Sequence, residues 1–131
     1  MTANRTPGVY HLVLRLPRAT RIPVGRLGVH TLGAGYYVYT GSAMNGLEAR
    51  VARHQRRRKS LRWHIDYLLQ TAEIAAVELI PTRRRLECAR NRVILSLPGA
   101  TIPVAGFGSS DCRCRSHLVY FGESAPVIPP L

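Results

Sequence analysis

Hydrophobic and polar positions alternate along the first part of the chain. Between residues 8 and 16, bulky apolar side chains recur at every second position and share one face: Tyr10, Leu12, Leu14 and Leu16. A period of two with branched and aromatic residues predicts a β-strand. The segment 17–25, rich in Pro, Gly and Arg, predicts a turn. Further strands are predicted over 26–32 and 36–40, so that the three strands form an antiparallel meander.

Helical spacing follows the third strand. The first predicted helix opens at Gly41 and Ser42 and runs into the basic stretch 53–59. A second is predicted over 60–70, because Ser60 is a good N-cap and apolar residues follow at helical spacing. A third is predicted over 83–97. The remaining elements are strands, predicted over 74–80 and 117–121.

This order of elements predicts an α+β fold: a small antiparallel or mixed sheet flanked by three helices. A chain of 131 residues leaves room for one core, so we expect a single domain over 1–131. Its core should span about 8–121, with a loose, proline-rich tail over 125–131. No apolar run reaches the roughly 18 residues of a membrane span. Residues 1–7 lack the apolar stretch of a secretory signal, so we expect a cytoplasmic protein without a membrane partner.

Charge narrows the class of partner. The chain has 19 basic and 7 acidic residues, a net charge of +12, and every basic residue except Lys59 is arginine. The electrostatic field of a strongly positive protein attracts polyanions. The planar guanidinium group of arginine also matches the geometry of phosphate oxygens. The chain is therefore predicted to bind nucleic acid. Phosphate contacts are expected from the basic stretch and the residue beyond it: Arg53, Arg56, Arg57, Arg58, Lys59 and Arg62.

Two tripeptides mark a candidate catalytic site. Gly8-Val9-Tyr10 lies on the first predicted strand and Tyr39-Thr40-Gly41 on the third, so pairing of these strands would bring the two tyrosines together. Arg50 and His54 occupy i and i+4 positions and therefore share one face of the first helix. Glu87 lies on the third predicted helix.

This arrangement resembles the GIY-YIG nuclease superfamily. Its hallmarks are a Gly-aliphatic-Tyr on the first strand, a Tyr-x-Gly on a later strand, an arginine on the next helix and a glutamate on a later one. The segments GYYVYTGSAMNGLEARVARH, RWHIDYLL and GFGSSDCRCRSHLVYF are similar to a bacterial and archaeal domain-of-unknown-function branch of that superfamily. Members of that branch also occur fused to endonuclease-III-type DNA glycosylases. Thr40 stands where the family name has isoleucine.

The resemblance implies a metal-dependent DNA endonuclease in repair or processing, which hydrolyses phosphodiester bonds with water as nucleophile and prefers DNA to RNA. It implies that Tyr10 is the general base, Tyr39 its hydrogen-bonded partner, and Arg50 the phosphate clamp, with His54 also catalytic. It implies that Glu87 binds Mg²⁺ or Mn²⁺. These roles suit the residue types, because carboxylates ligate Mg²⁺, guanidinium groups bind phosphate and hydroxyls move protons.

The same residues also have a structural interpretation. Tyrosines in strands usually pack half-buried, and Arg50 and His54 can belong to a solvated helix face. Glu87 can form a surface ion pair with neighbouring arginines, worth roughly 0–1 kcal/mol. The alternative function is therefore a non-catalytic nucleic-acid-binding module that positions another repair enzyme.

A second cluster contains possible metal ligands. A carboxylate, two thiols and an imidazole lie close together in the sequence, all of them groups that zinc accepts: Asp111, Cys112, Cys114 and His117. His64 and Asp66 could complete such a site if the fold brings them close. However, Cys-x-Cys is not the usual zinc spacing, so the sequence favours a capped turn with half-buried cysteines and makes zinc unlikely. A zinc-stabilised interaction domain is the third alternative. Three cysteines, an odd number, argue against a disulfide framework.

Overall fold

A computed structural model describes residues 5–130 of the chain. Residues 1–4, on which the expectation of no secretory signal partly rests, and residue 131 lie outside the described part. The elements are β1 (Gly8–Leu16), β2 (Thr20–Pro23), β3 (Val29–Leu32), β4 (Gly35–Ala43), α1 (Leu47–Gln55), α2 (His64–Leu68), β5 (Glu73–Pro81), α3 (Glu87–Leu95) and β6 (Leu118–Gly122), with a 3₁₀ turn at Gly25–Leu27. The predicted α+β class is confirmed: within residues 5–130 there are a four-stranded antiparallel sheet, a two-stranded sheet and three α-helices.

The main sheet has the strand order β5-β1-β4-β6. β1 and β4 pair along their whole length, with Gly8 opposite Ala43 and Leu16 opposite Gly35. The predicted meander is wrong, because β2 and β3 pair only with each other in a separate hairpin. The chain leaves the main sheet after Leu16 of β1 and returns at Gly35 of β4, and these two residues face each other. The hairpin is therefore an insertion at one end of the β1–β4 pair. Its β2 lies within the segment predicted to be only a turn.

The helices begin later than the pattern predicts. Gly41 and Ser42 extend β4, because their backbones pair with Tyr10 and Val9 of β1, and α1 therefore starts only at Leu47. The ammonium of Lys59 donates hydrogen bonds to carbonyls at the end of α1, which stops at Gln55.

The second and third helices are also shorter than predicted. α2 begins at His64, since the Asp66 carboxylate accepts hydrogen bonds from the backbone N–H groups of Arg62 and Trp63. The hydrogen bonds at the start of α2 therefore come from the Asp66 carboxylate and not from Ser60, which was predicted to cap this helix. α3 begins at Glu87, and the arginine run before it forms a turn.

Core residues lie on both faces of the main sheet. The alternation in β1 is confirmed, because all four apolar residues on its predicted face belong to the larger core, together with side chains of α1, α2 and the inserted hairpin. A smaller core on the other face joins Val13 and Val38 to Ile94 of α3. Ile128 packs against this smaller core, and Arg90 donates a hydrogen bond of 2.7 Å to the carbonyl of Pro129. This part of the tail predicted to be loose therefore contacts the domain.

Gly41 allows the Tyr10 ring to lie across β4. The two residues are partners in the β1–β4 register. A Cβ atom added at Gly41 would lie 2.5 Å from the Cζ atom of Tyr10, which is far inside van der Waals contact. The glycine of the second tripeptide is thus a steric requirement of the tyrosine in the first.

We expect Gly41→Ala to destabilise the protein by about 1–3 kcal/mol, the usual effect of overpacking a core. Urea unfolding of a double-mutant cycle tests the cause. In a Tyr10→Leu background the clashing atoms are absent, so the same Gly41→Ala change should cost less than about 0.5 kcal/mol. Additive effects of the two substitutions would contradict the steric explanation.

Candidate functional site

A cleft with a volume of about 220 Å³ opens beside the paired strands β1 and β4. Side chains from strands, helices and loops line it, among them Tyr10, Tyr39, Arg50, Arg62, Trp63 and Glu87. The structure therefore brings together four of the residues predicted for catalysis and metal binding, contributed by β1, β4, α1 and α3. The fifth, His54, is buried behind the two tyrosines.

Tyr10 and His54 form a buried hydrogen-bonded pair. The Tyr10 hydroxyl lies 2.6 Å from His54 Nε2. Burial, and secondarily the nearby Lys59 ammonium, lower the pKa of His54 to about 4, so its imidazole is neutral at pH 7. Burial also raises the pKa of Tyr10 well above its usual range, although Arg50 opposes this. Tyr10 is therefore a protonated phenol, and the neutral imidazole can accept its proton.

Tyr39 lies beside this pair. Its ring centroid is 6.3 Å from that of Tyr10 and 6.2 Å from that of His54. Burial raises the pKa of Tyr39 too. The structure shows a hydrogen bond of the Tyr10 hydroxyl with His54 of α1, in place of the one predicted with Tyr39.

Arg50 is held at the cleft from two sides. Its Nη1 donates a hydrogen bond of 3.0 Å to the carbonyl of Ser42, and its Cζ lies 4.6 Å from the centroid of the Trp63 ring. A guanidinium has five N–H donors in a fixed fork. The position of Arg50 is thus fixed while several donors remain to bind an anion in the cleft.

Glu87, the first residue of α3, also lines the cleft. Its Oε2 lies 2.7 Å from Nδ1 of the buried His117. Burial alone would raise the pKa of Glu87, but hydrogen bonds from His117 and Ser42 outweigh it and the net direction is down. The carboxylate is therefore ionised at neutral pH.

One protein family matches nearly the whole chain. The model described as a domain of unknown function, DUF123, matches residues 9–129, which include the whole cleft lining. The chain belongs to the DUF123 family. No curated protein and no solved structure matches the chain. None of the helices within residues 5–130 of this DUF123 domain has the length and apolar character needed to cross a membrane.

The predicted phosphate-binding residues divide into two groups. In the DUF123 domain Arg53 binds Asp66 through two hydrogen bonds of 2.8 and 2.9 Å, and Lys59 binds carbonyls at the end of α1. The guanidinium of Arg53 and the ammonium of Lys59 are therefore already bound to acceptors of the protein itself. The other four remain exposed at the surface: Arg56, Arg57, Arg58 and Arg62.

A Cys₃His cluster lies next to the cleft. The three thiol sulfurs and the His117 imidazole nitrogen all lie within 4.8 Å of one another: Cys88, Cys112, Cys114 and His117. Burial and the neighbouring thiols raise the pKa of Cys88 to about 12. Sulfur and imidazole donors suit zinc better than Mg²⁺. The cysteines are half-buried, as predicted, but with Cys88 they form a group that could hold a metal, and zinc fits it better than the expected Mg²⁺.

Cys88 is a possible metal ligand that the sequence did not reveal. It lies on α3, remote in sequence from the Cys-x-Cys motif, and its only signal is its place next to Glu87. The residues offered to complete the site lie elsewhere: His64 Nδ1 accepts a hydrogen bond from the backbone N–H of Gly108, and Asp66 is bound to Arg53. Asp111 lines the cleft and lies outside the group of four.

The Arg53–Asp66 pair predicts how stability responds to acid. Burial alone would raise the pKa of Asp66, but hydrogen bonds from Arg53 and from two backbone N–H groups lower it to about 2. An unfolded aspartate titrates at about 3.9. The stabilisation is therefore complete above about pH 4 and is lost as the pH falls towards 2.

This difference in pKa corresponds to about 2.6 kcal/mol, of which about 2 kcal/mol is lost by pH 2, where the folded carboxyl is half ionised. The gap in free energy of unfolding between the wild type and Asp66→Asn should narrow by the latter amount between about pH 6 and about pH 2. Urea titrations at both pH values measure it. Glu73→Gln, which removes a pair at the exposed surface, should show a change of only a few tenths of a kcal/mol.

Proposed function

We propose that this DUF123 domain is a metal-dependent DNA endonuclease of the GIY-YIG type, acting in DNA repair or processing. The observation that carries the proposal is the convergence of Tyr10, Tyr39, Arg50 and Glu87 on one cleft. Residues from four separate elements meet there. Phosphodiester hydrolysis needs a proton acceptor, a cation at the phosphate and a ligand for a divalent metal, and these groups supply all three.

The tyrosine and histidine would act in sequence on the attacking water. As the water oxygen bonds to phosphorus, its proton moves to the Tyr10 hydroxyl and the phenolic proton moves to His54 Nε2. In this relay no free phenolate has to form. Burial and nearby cations hold the pKa of His54 at about 4 in the free protein, so the relay requires the bound anionic phosphate to favour the protonated imidazole. Tyr39, whose buried ring lies beside both Tyr10 and His54, would help to keep bulk water from the pair.

Arg50 and Glu87 would act on the phosphate. The fixed guanidinium of Arg50 donates to the non-bridging oxygens, where charge increases in the transition state. Carboxylates at the cleft come from Glu87 and Asp111. Since Mg²⁺ keeps most of its waters and needs one or two carboxylates, Glu87 would hold Mg²⁺ or Mn²⁺. When bound, the ion supplies stabilisation of the departing alkoxide.

Cleavage of duplex, single-stranded, flap and branched DNA with Mg²⁺ or Mn²⁺ tests this proposal. We expect Arg50→Ala to lower turnover about a hundredfold or more, on the scale of losing one charge-stabilising donor, and to weaken DNA binding only modestly. Tyr10→Phe and Glu87→Gln should also depress cleavage, whereas Glu87→Gln should bind DNA at least as well.

Two matched controls separate catalysis from folding. Tyr37→Phe removes a buried tyrosine hydroxyl that binds the Gly33 carbonyl, away from the cleft lining, and should keep full activity. Arg15→Ala removes a surface arginine paired with Glu73 and should do the same. A wild-type protein that binds DNA but cleaves no substrate with either metal would refute the nuclease.

The second candidate is a nucleic-acid-binding module that positions another repair enzyme. The exposed arginines after α1 favour it, since phosphate contacts there need no catalysis. We expect the logarithm of affinity for duplex DNA to fall with the logarithm of salt by about 0.9 per phosphate neutralised. Removing Arg56, Arg57 and Arg58 together should shallow that slope.

Fluorescence anisotropy at about 50–200 mM salt measures this slope. The control replaces Arg83, Arg84 and Arg85, which removes the same charge from the turn before α3. It should leave the slope closer to that of the wild type. Equal effects of the two triple variants would show that net charge alone, and no particular surface, governs binding.

A further inference from the structure

We propose that Cys88, Cys112, Cys114 and His117 bind a structural Zn²⁺, which acts through His117 to hold Glu87 in the cleft. Three thiolates and one imidazole form one of the common structural zinc sets. The His117 Nε2 atom lies 3.4 Å from the sulfur of Cys112 and 3.9 Å from that of Cys88. Ligands of a tetrahedral zinc ion with usual bond lengths lie about 3.5 Å apart. The four donors are thus nearly in place.

The orientation of His117 points to a metal ligand. Its Nδ1 faces the Glu87 carboxylate at 2.7 Å and the carbonyl of Thr40 at 3.1 Å, so this nitrogen carries the proton. Nε2 then presents its lone pair to the sulfurs. Histidines that ligate metals almost always donate their other N–H to a carboxylate or carbonyl, which fixes the ring. Here both kinds of acceptor are present around a fully buried ring.

The cluster also lies at a long irregular segment of the chain, which a metal ion could hold in place. Residues 96–117 contain no helix or strand longer than an isolated bridge, and irregular segments of more than about 12–15 residues are uncommon in compact domains. A zinc ion would tie this segment to α3 through Cys88. The same segment supplies Gly108, Ser110 and Asp111 to the cleft wall. The ion would therefore fix one wall of the cleft as well as the loop.

Glu87 connects the two sites. It precedes Cys88 on α3, and its carboxylate receives the hydrogen bond from the zinc-binding histidine while lining the cleft. A carboxylate has acceptor capacity beyond one hydrogen bond, so this bond orients Glu87 and leaves it able to bind a cation. The importance of that orientation for cleavage rests on the proposed function, whereas the zinc site itself does not.

Elemental analysis of the full chain, purified without a histidine tag, tests the zinc site directly. We expect about one zinc per chain that survives dialysis. Exchange for Co²⁺ should give the intense visible bands of tetrahedral thiolate coordination. Both measurements use the wild type, so they do not depend on how well a cysteine variant folds. Cys114→Ser should lose the metal, and Ser109→Ala, in the same segment, should keep it.

The link to Glu87 has its own measurement. Glu87→Gln should still bind zinc but with an affinity about 10–100-fold lower, the usual effect of losing a partner of a metal-bound histidine. Competition with a chromogenic chelator measures this affinity. Glu78→Gln on β5, outside the cluster, should match the wild type. An unchanged affinity in Glu87→Gln would disprove the link.

A folded wild-type chain without zinc, without cobalt bands and with three freely reactive thiols would disprove the zinc site. A failure of the proposed function alone would give a different result. The chain would bind one zinc ion, with an affinity that Glu87→Gln lowers, but it would cut no DNA substrate.

Discussion

The full-length pairing of β1 with β4 is the constraint on which the rest of the structure depends. Its register sets Tyr10 opposite Gly41, so that the Tyr10 ring crosses a residue without a side chain. The Tyr10 hydroxyl then reaches His54 of α1, and Tyr39 lies beside both. A shift of one residue would turn Tyr10 to the other face of the sheet. The cleft exists because this register is fixed.

Local signals predicted much of this fold. The alternation of β1, the apolar face of α1 and the approximate positions of β5, α3 and β6 all follow from periodicity. The hairpin β2–β3 did not, because its strands pair with each other and pack against the larger core, which are contacts between residues distant in sequence. The start of α1 was misplaced for a similar reason: the backbone of Gly41 and Ser42 pairs with β1, and this long-range ladder outweighs any local tendency to begin a helix.

Part of the candidate site could likewise be predicted from the sequence, and part could not. The resemblance to GIY-YIG nucleases, carried by the order and type of the residues, selected Tyr10, Arg50 and Glu87, which the structure places at one cleft. Two features could not be read from the sequence. Arg53 looked like its neighbouring arginines, but only Arg53 faces the buried Asp66. Cys88 has no partner near it in sequence, and the fold alone brings it to His117.

The single tryptophan of the chain gives the cleft an optical consequence. Trp63 lines the cleft, with guanidinium groups of Arg50 and Arg53 at 4.6 and 4.2 Å from its ring centroid. Indole emission is sensitive to nearby charge and to water. An anion that binds the guanidinium of Arg50 changes the charge beside the ring and would therefore change the intrinsic fluorescence of the protein. The domain carries a built-in reporter at the place where a phosphate would enter, without any label.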